Sequence, residues 1–182
     1  MKIADLRSIM AGALLRVGLE ERPLVQKKPK VWCLPGDEEV IRFFQPAPYK
    51  RGWGFVYTGF VGIELPRLRA WLASYDDGQP GIFHHSFIAH HTLNDNDRDQ
   101  FMINIEGEPP VDRLAALLYD KLARIPPSVE QLVSAYRQNP ASLGGLAGPI
   151  HSAAWEFLLR WVEAPGDQLR VPRRGPDGRI VG

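Results

Sequence analysis

Four histidines and three aspartates fall between positions 84 and 99: His84, His85, His90 and His91, then Asp95, Asp97 and Asp99. Histidine titrates near neutral pH and ligates metals, while carboxylates take up protons and hold hard cations. The types therefore suit a metal-dependent hydrolase, or a His/Asp acid–base hydrolase using His85 or His91 with Asp95, Asp97 or Asp99, His91 and Asp95 being the pair that the end of the strand would bring together. Spacing argues against the metal version. On an extended strand over 82–93, His84 and His90 share one face, and His85 and His91 share the other. Partners on one face are then about 20 Å apart at the usual rise per residue. Zinc–nitrogen bonds are about 2 Å, so neither pair alone grips an ion. The strand chelate His-x-His is absent.

The acidic loop also resembles a calcium loop in part. Asp95, Asp97 and Asp99 match its first three acidic positions, and Glu106 falls at the twelfth. The sixth position is Gln100, where the sharp turn needs glycine. The residues after it, FMINIE, alternate like a strand rather than a helix. A solvated turn rich in Asp and Asn is the better expectation. The candidate polar site is thus His84, His85, His90, His91, Asp95, Asp97 and Asp99. No catalytic residue is assigned, and no metal or other cofactor is expected.

Other chemistry is thinner. Gly52-Trp53-Gly54 lacks the remaining spacing of a dinucleotide fingerprint, and no Gly-Lys-Ser/Thr follows for a phosphate loop. Cys33, between Trp32 and Leu34, reads as a buried small hydrophobe rather than a nucleophile. No Gly-x-Ser-x-Gly or His-Glu-x-x-His occurs. Lys27, Lys28 and Lys30 make one basic cluster, Lys50 and Arg51 a second, and Arg170, Arg173, Arg174 and Arg179 a third. Acidic residues nearly balance them at a formal net charge of +1, which argues against a general pull on nucleic acid or anionic membrane.

The elements that must position these residues follow from periodicity. Ile3, Leu6, Met10, Ala13, Leu14 and Val17 make one helical stripe, closed by Gly18. Residues 20–30, polar with two prolines, read as a loop. Residues 31–34 and 39–45, joined through Pro35-Gly36-Asp37, read as a β-hairpin. Residues 45–50 read as a connector. The glycine-punctuated stretch 50–65 reads as one interior strand, apolar on both faces and bent at its glycines. Pro66 then opens a short helix carrying Leu68, Trp71, Leu72 and Tyr75. Strands follow at 82–93 and 101–106.

The last third is helical. Val111, Leu114, Ala115, Leu118, Leu122 and Ile125 form a stripe after Pro109-Pro110. Ser128 with Gln131 caps a second helix to about 138. A third carries Trp155, Leu158, Leu159 and Val162 on one face. Residues 164–182 are rich in Pro, Gly and Arg and read as a tail. This order predicts an α+β protein: an antiparallel sheet of about five strands with helices packed on it, an N-terminal helix and a C-terminal helical segment. It is expected as one domain over 1–163, with the tail at 164–182.

With 182 residues, 45% hydrophobic and 24% charged, the chain is an ordinary globular one. A single cysteine cannot pair internally, which points to the reducing cytoplasm. Asp5, Arg7 and Arg16 interrupt any signal-peptide core, and no run approaches the roughly 18 apolar residues of a membrane span.

The helix at 1–18, the hairpin VWCLPGDEEVIRFFQ and the strand GWGFVYTGFVGIEL together resemble a family of small bacterial α+β proteins of the domain-of-unknown-function type. The resemblance covers roughly 1–125 and is one of layout. It contains no catalytic motif, so it implies a fold and carries over no functional residue. Abundant aromatics without a catalytic constellation point to a binding or interaction protein, an accessory or immunity-type module. Its partner would be another protein or a second copy of itself. The alternative is the hydrolase at 84–99.

Overall fold

The structure, a computed structural model, describes residues 2–23, 30–52, 54–66, 87–92, 102–104, 110–147, 152–163, 173–174 and 180–181. It is an α+β fold with antiparallel strand pairing. The chain clusters into two compact units. One comprises Met1–Asp37, Ile41–Gly62 and His90–Ile125; the other comprises Glu38–Val40, Ile63–Ala89 and Pro126–Gly182.

In the first unit, α1 runs Ile3–Arg16 and buries Leu6, Met10, Ala13 and Leu14. At its start the Lys2 backbone N–H donates to the Asp5 carboxylate, 2.6 Å. Its end is the one that Gly18 predicts. Gly18 adopts φ 90° and donates to the Leu15 carbonyl at 3.0 Å, and Leu19 donates to Leu14 at 3.0 Å. These paired bonds satisfy carbonyls that the helix leaves open, and the buried Leu14 and Leu19 stand at the positions that close such a turn hydrophobically.

The expected hairpin is present: β2 (Lys30–Cys33) pairs with β3 (Ile41–Pro46) so that Trp32 faces Phe44 and Cys33 faces Phe43. Gly36 supplies the positive φ, 79°, at its turn. Cys33 is buried, as its apolar neighbours imply. The loop expected at 20–30 is corrected over its first residues. Glu20–Pro23 is a strand, β1, paired antiparallel with β2. It lies at the sheet edge, where charged residues and a terminal proline discourage further pairing. The connector at 45–50 is also shorter than expected, because Tyr49–Arg51 forms β4.

The stretch 50–65 is not one strand. β5 (Gly54–Val56) and β6 (Gly59–Glu64) are separated at Tyr57 and Thr58 and belong to different sheets. β4, β5 and β8 (Met102–Asn104) form a three-stranded antiparallel sheet, with Phe55 opposite Ile103. The larger sheet has the order β1-β2-β3-β6-β7, where β7 is Phe87–Thr92. The strands are therefore shared among sheets rather than gathered in one. Apolar residues on both faces were the correct sign of burial: Phe55, Val56, Tyr57, Val61, Ile63 and Leu65 are all buried.

Helix α2 (Val111–Ala123) packs on α1 and β3 and buries Leu114, Ala115, Leu118 and Leu122. Arg16, in the last turn of α1, meets Asp112, in the first turn of α2, at 2.5 Å. Each charge suits the helix end that carries it. Both are exposed, so the pair orients more than it stabilises.

In the second unit, α3 spans Val129–Gln138, and the Ser128 hydroxyl accepts from the Gln131 N–H at 3.3 Å, the predicted cap. A 3₁₀ segment over Pro140–Ala147 follows, broken at Gly144 with φ 57°. Helix α4 (Ser152–Glu163) buries Trp155 and Leu158, whereas Val162, expected on that face, is exposed. Within the expected tail, β9 (Arg173–Arg174) pairs antiparallel with β10 (Ile180–Val181). The expected helix after Pro66 lies outside the described residues. No described helix is long and apolar enough to cross a membrane.

Candidate functional site

Of the sequence-derived candidates, His90 and His91 lie on β7, where the backbone is described but the side chains are not. His84, His85, Asp95, Asp97 and Asp99 lie outside the described residues, as do Gln100 and Glu106 of the partial calcium pattern. Among the described residues, no group of three or more His, Cys, Asp or Glu is arranged to hold a metal ion.

Among the described residues, the best-organised polar constellation is one that sequence reasoning passed over. Asp37 sits in the loop between β2 and β3, and Arg42 lies near the start of β3. One Asp37 oxygen, Oδ2, accepts both the Arg42 backbone N–H at 3.1 Å and its Nε at 2.8 Å. The other, Oδ1, accepts Nη2 at 2.6 Å. The guanidinium therefore grips the carboxylate with its two-pronged fork. Its remaining nitrogen, Nη1, donates to the Ile125 carbonyl at 2.9 Å, just beyond the end of α2. Arg22 of β1 adds a bond from its own Nη1 to the Asp37 backbone carbonyl, 3.2 Å.

Burial gives this cluster its weight. The side chains of Arg42 and Asp37 are 12% and 4% exposed. A buried ion pair is costly to desolvate and holds only when its hydrogen bonds are well satisfied. A cation also suits the C-terminal end of a helix, where carbonyls carry partial negative charge. The groups bond to one another and to backbone, so the arrangement orders the turn and the helix end. The sequence signal was an aspartate after Pro-Gly with an arginine five residues on. The Ile125 link, 83 residues from Arg42, has no local signature.

Two further buried polar groups lie in the stretch 50–65. Tyr57 is 1% exposed and sits beside Phe44, with ring centroids 6.0 Å apart. Burial pushes its phenol well above the ordinary tyrosine value, and the positive charge of Arg7 on α1 opposes that shift. Glu64, at the end of β6, is 3% exposed. It is the acid within the stretch 50–65 that reads as an interior strand.

The solvent side of α1 carries a different feature. Among the described residues, the exposed large apolar side chains are Ile9, Leu15 and Val162, at 43%, 59% and 38%. Two of these lie on α1. Six residues apart on a helix, Ile9 and Leu15 stand about 120° from each other. Between them in angle fall Ser8 and Gly12, and the Arg16 side chain reaches over Gly12, its Nη1 3.5 Å from where a Cβ there would stand. Asp5, in the first turn, and Arg16, in the last, lie within the same arc. On β4, Arg51 lies over the Tyr49 ring, 4.9 Å from its centroid, beside the exposed Lys50.

No family model, no curated protein and no solved structure matches this chain.

Proposed function

We propose that the protein is a binding or interaction module, of the accessory or immunity type, whose partner is another protein or a second copy of this chain. The observation that carries this reading is the solvent face of α1. There Ile9 and Leu15, at 43% and 59% exposure, stand about 120° apart with Ser8, Gly12 and the charged Asp5 and Arg16 between them. Exposed apolar side chains set among polar and charged groups on one helix favour contact with another molecule. The rest of α1 is firmly seated through four buried side chains, so the face is held rigid. The Asp37–Arg42 cluster supports the same reading, because its charges are committed to backbone and to each other rather than presented to a substrate. The layout resemblance to small bacterial α+β proteins belongs to this proposal as its fold-level part.

Replacing Ile9 and Leu15 together by lysine tests it. The reading expects loss of the complex with an unchanged melting temperature, since both side chains already face water. A complex that survives the double substitution overturns it.

A further inference from the structure

We infer that Asp37, Arg42 and the Ile125 carbonyl form a single latch, so that the β2–β3 turn and the C-terminal end of α2 open and close together. Three observations carry this. First, Arg42 is the common member: its backbone N–H, Nε and Nη2 go to Asp37, and its Nη1 goes to Ile125. Releasing the carboxylate frees the guanidinium that holds the helix end. Second, the cluster is buried, with Asp37 at 4% and Arg42 at 12% side-chain exposure. Water does not replace a lost bond there at low cost, so half-open states are disfavoured. Third, the two segments are remote in sequence yet held by one planar group. A guanidinium cannot turn away from one partner and keep its geometry on the other.

The end of α2 offers a clear local reporter. The Arg124 N–H donates to Asp120 at 3.1 Å, and the Ile125 N–H donates to Leu122 at 3.1 Å. Neither bond involves Asp37. The Arg42 N–H reports the turn itself, through its bond to Asp37.

Native-state amide hydrogen exchange on the full chain tests the latch. In wild type at low denaturant, the amides of Arg42, Arg124 and Ile125 are expected to share one opening free energy and one denaturant dependence. In Asp37→Asn, exchange at all three is expected to accelerate together by about tenfold or more, while the α3 amide of Leu132 changes by less than about twofold. Arg42→Lys keeps the charge but loses the fork, and is expected to act in the same way; it serves if Asp37→Asn does not fold. Acceleration at Arg42 alone, with the end of α2 unchanged, overturns the latch. So do unequal opening energies in wild type, or a uniform rise that includes Leu132.

Discussion

Gly59 of β6 lies so close to Gln45 of β3 that a Cβ on Gly59 would stand 2.1 Å from the Gln45 carbonyl oxygen and 2.6 Å from the Phe44 ring. No real side chain fits at such a distance, and the nearest obstacle is backbone. The glycine is thus a condition for these strands to approach. Nearby, the Ala47 N–H donates to the Thr58 carbonyl at 2.7 Å and ties the same two chain segments.

Gly59→Ala is therefore expected to destabilise the protein by about 3 kcal/mol or more, because strand backbone must shift to admit one methyl group. Gly52→Ala is the control, since nothing stands within 4 Å of the Cβ it would gain. Chemical denaturation of the two variants checks this. Equal loss at both positions would show that the close approach at Gly59 is not what matters.

Trp155 gives a second expectation. Its indole N–H donates to the Leu146 carbonyl at 2.9 Å, and its ring stacks on Tyr136 with centroids 4.3 Å apart and planes 7° apart. Trp155→Phe keeps an aromatic ring against Tyr136 but leaves a buried carbonyl without this donor. A cost of about 1–3 kcal/mol is expected. Trp155→Ala also removes the packing and should cost about 3–5 kcal/mol. Thermal unfolding of the pair distinguishes the two contributions, and equal losses would assign the whole effect to the hydrogen bond and none to packing.

Tyr57 predicts an alkaline limit. Its folded-state value lies above the 10.0 of an ordinary phenol, chiefly through burial. Such a group keeps its proton in the folded chain after the unfolded chain has lost it. Stability from this source is complete below pH 10 and falls as pH rises beyond it, by about 1.4 kcal/mol per unit. Tyr57→Phe removes the group that titrates, so the variant should lose less stability than wild type between pH 10 and 11. Parallel unfolding curves across that range would show that Tyr57 does not carry the effect.

How much of this was legible beforehand depended on how local each cause is. The end of α1 at Gly18 and the Ser128 cap of α3 were readable because the deciding residues lie within a turn of what they decide. The hairpin at Pro35-Gly36 was readable for the same reason. Glu20–Pro23 was not, because an edge strand takes its pairing from β2 and needs no apolar alternation of its own. The division of 50–65 was hidden for another reason. Phe55, Tyr57, Val61 and Ile63 keep period two across the break, so the pattern shows burial on both sides of it but not the change of sheet. The Asp37–Arg42–Ile125 cluster joins segments that no short window contains. Among the candidate polar residues, His90 and His91 are seen only as backbone on β7, and the others lie outside the described residues.

The proposed role in binding is tested most directly by measuring complex formation with the intact chain and with its Ile9→Lys, Leu15→Lys double variant. Sedimentation of the purified protein reads self-association, and quantitative co-purification from the source cells reads a second protein. One defined complex is expected, weakened by about tenfold or more in the double variant, with the melting temperature held within about 2 °C. An equally strong complex in both proteins, or no complex in either, would contradict it.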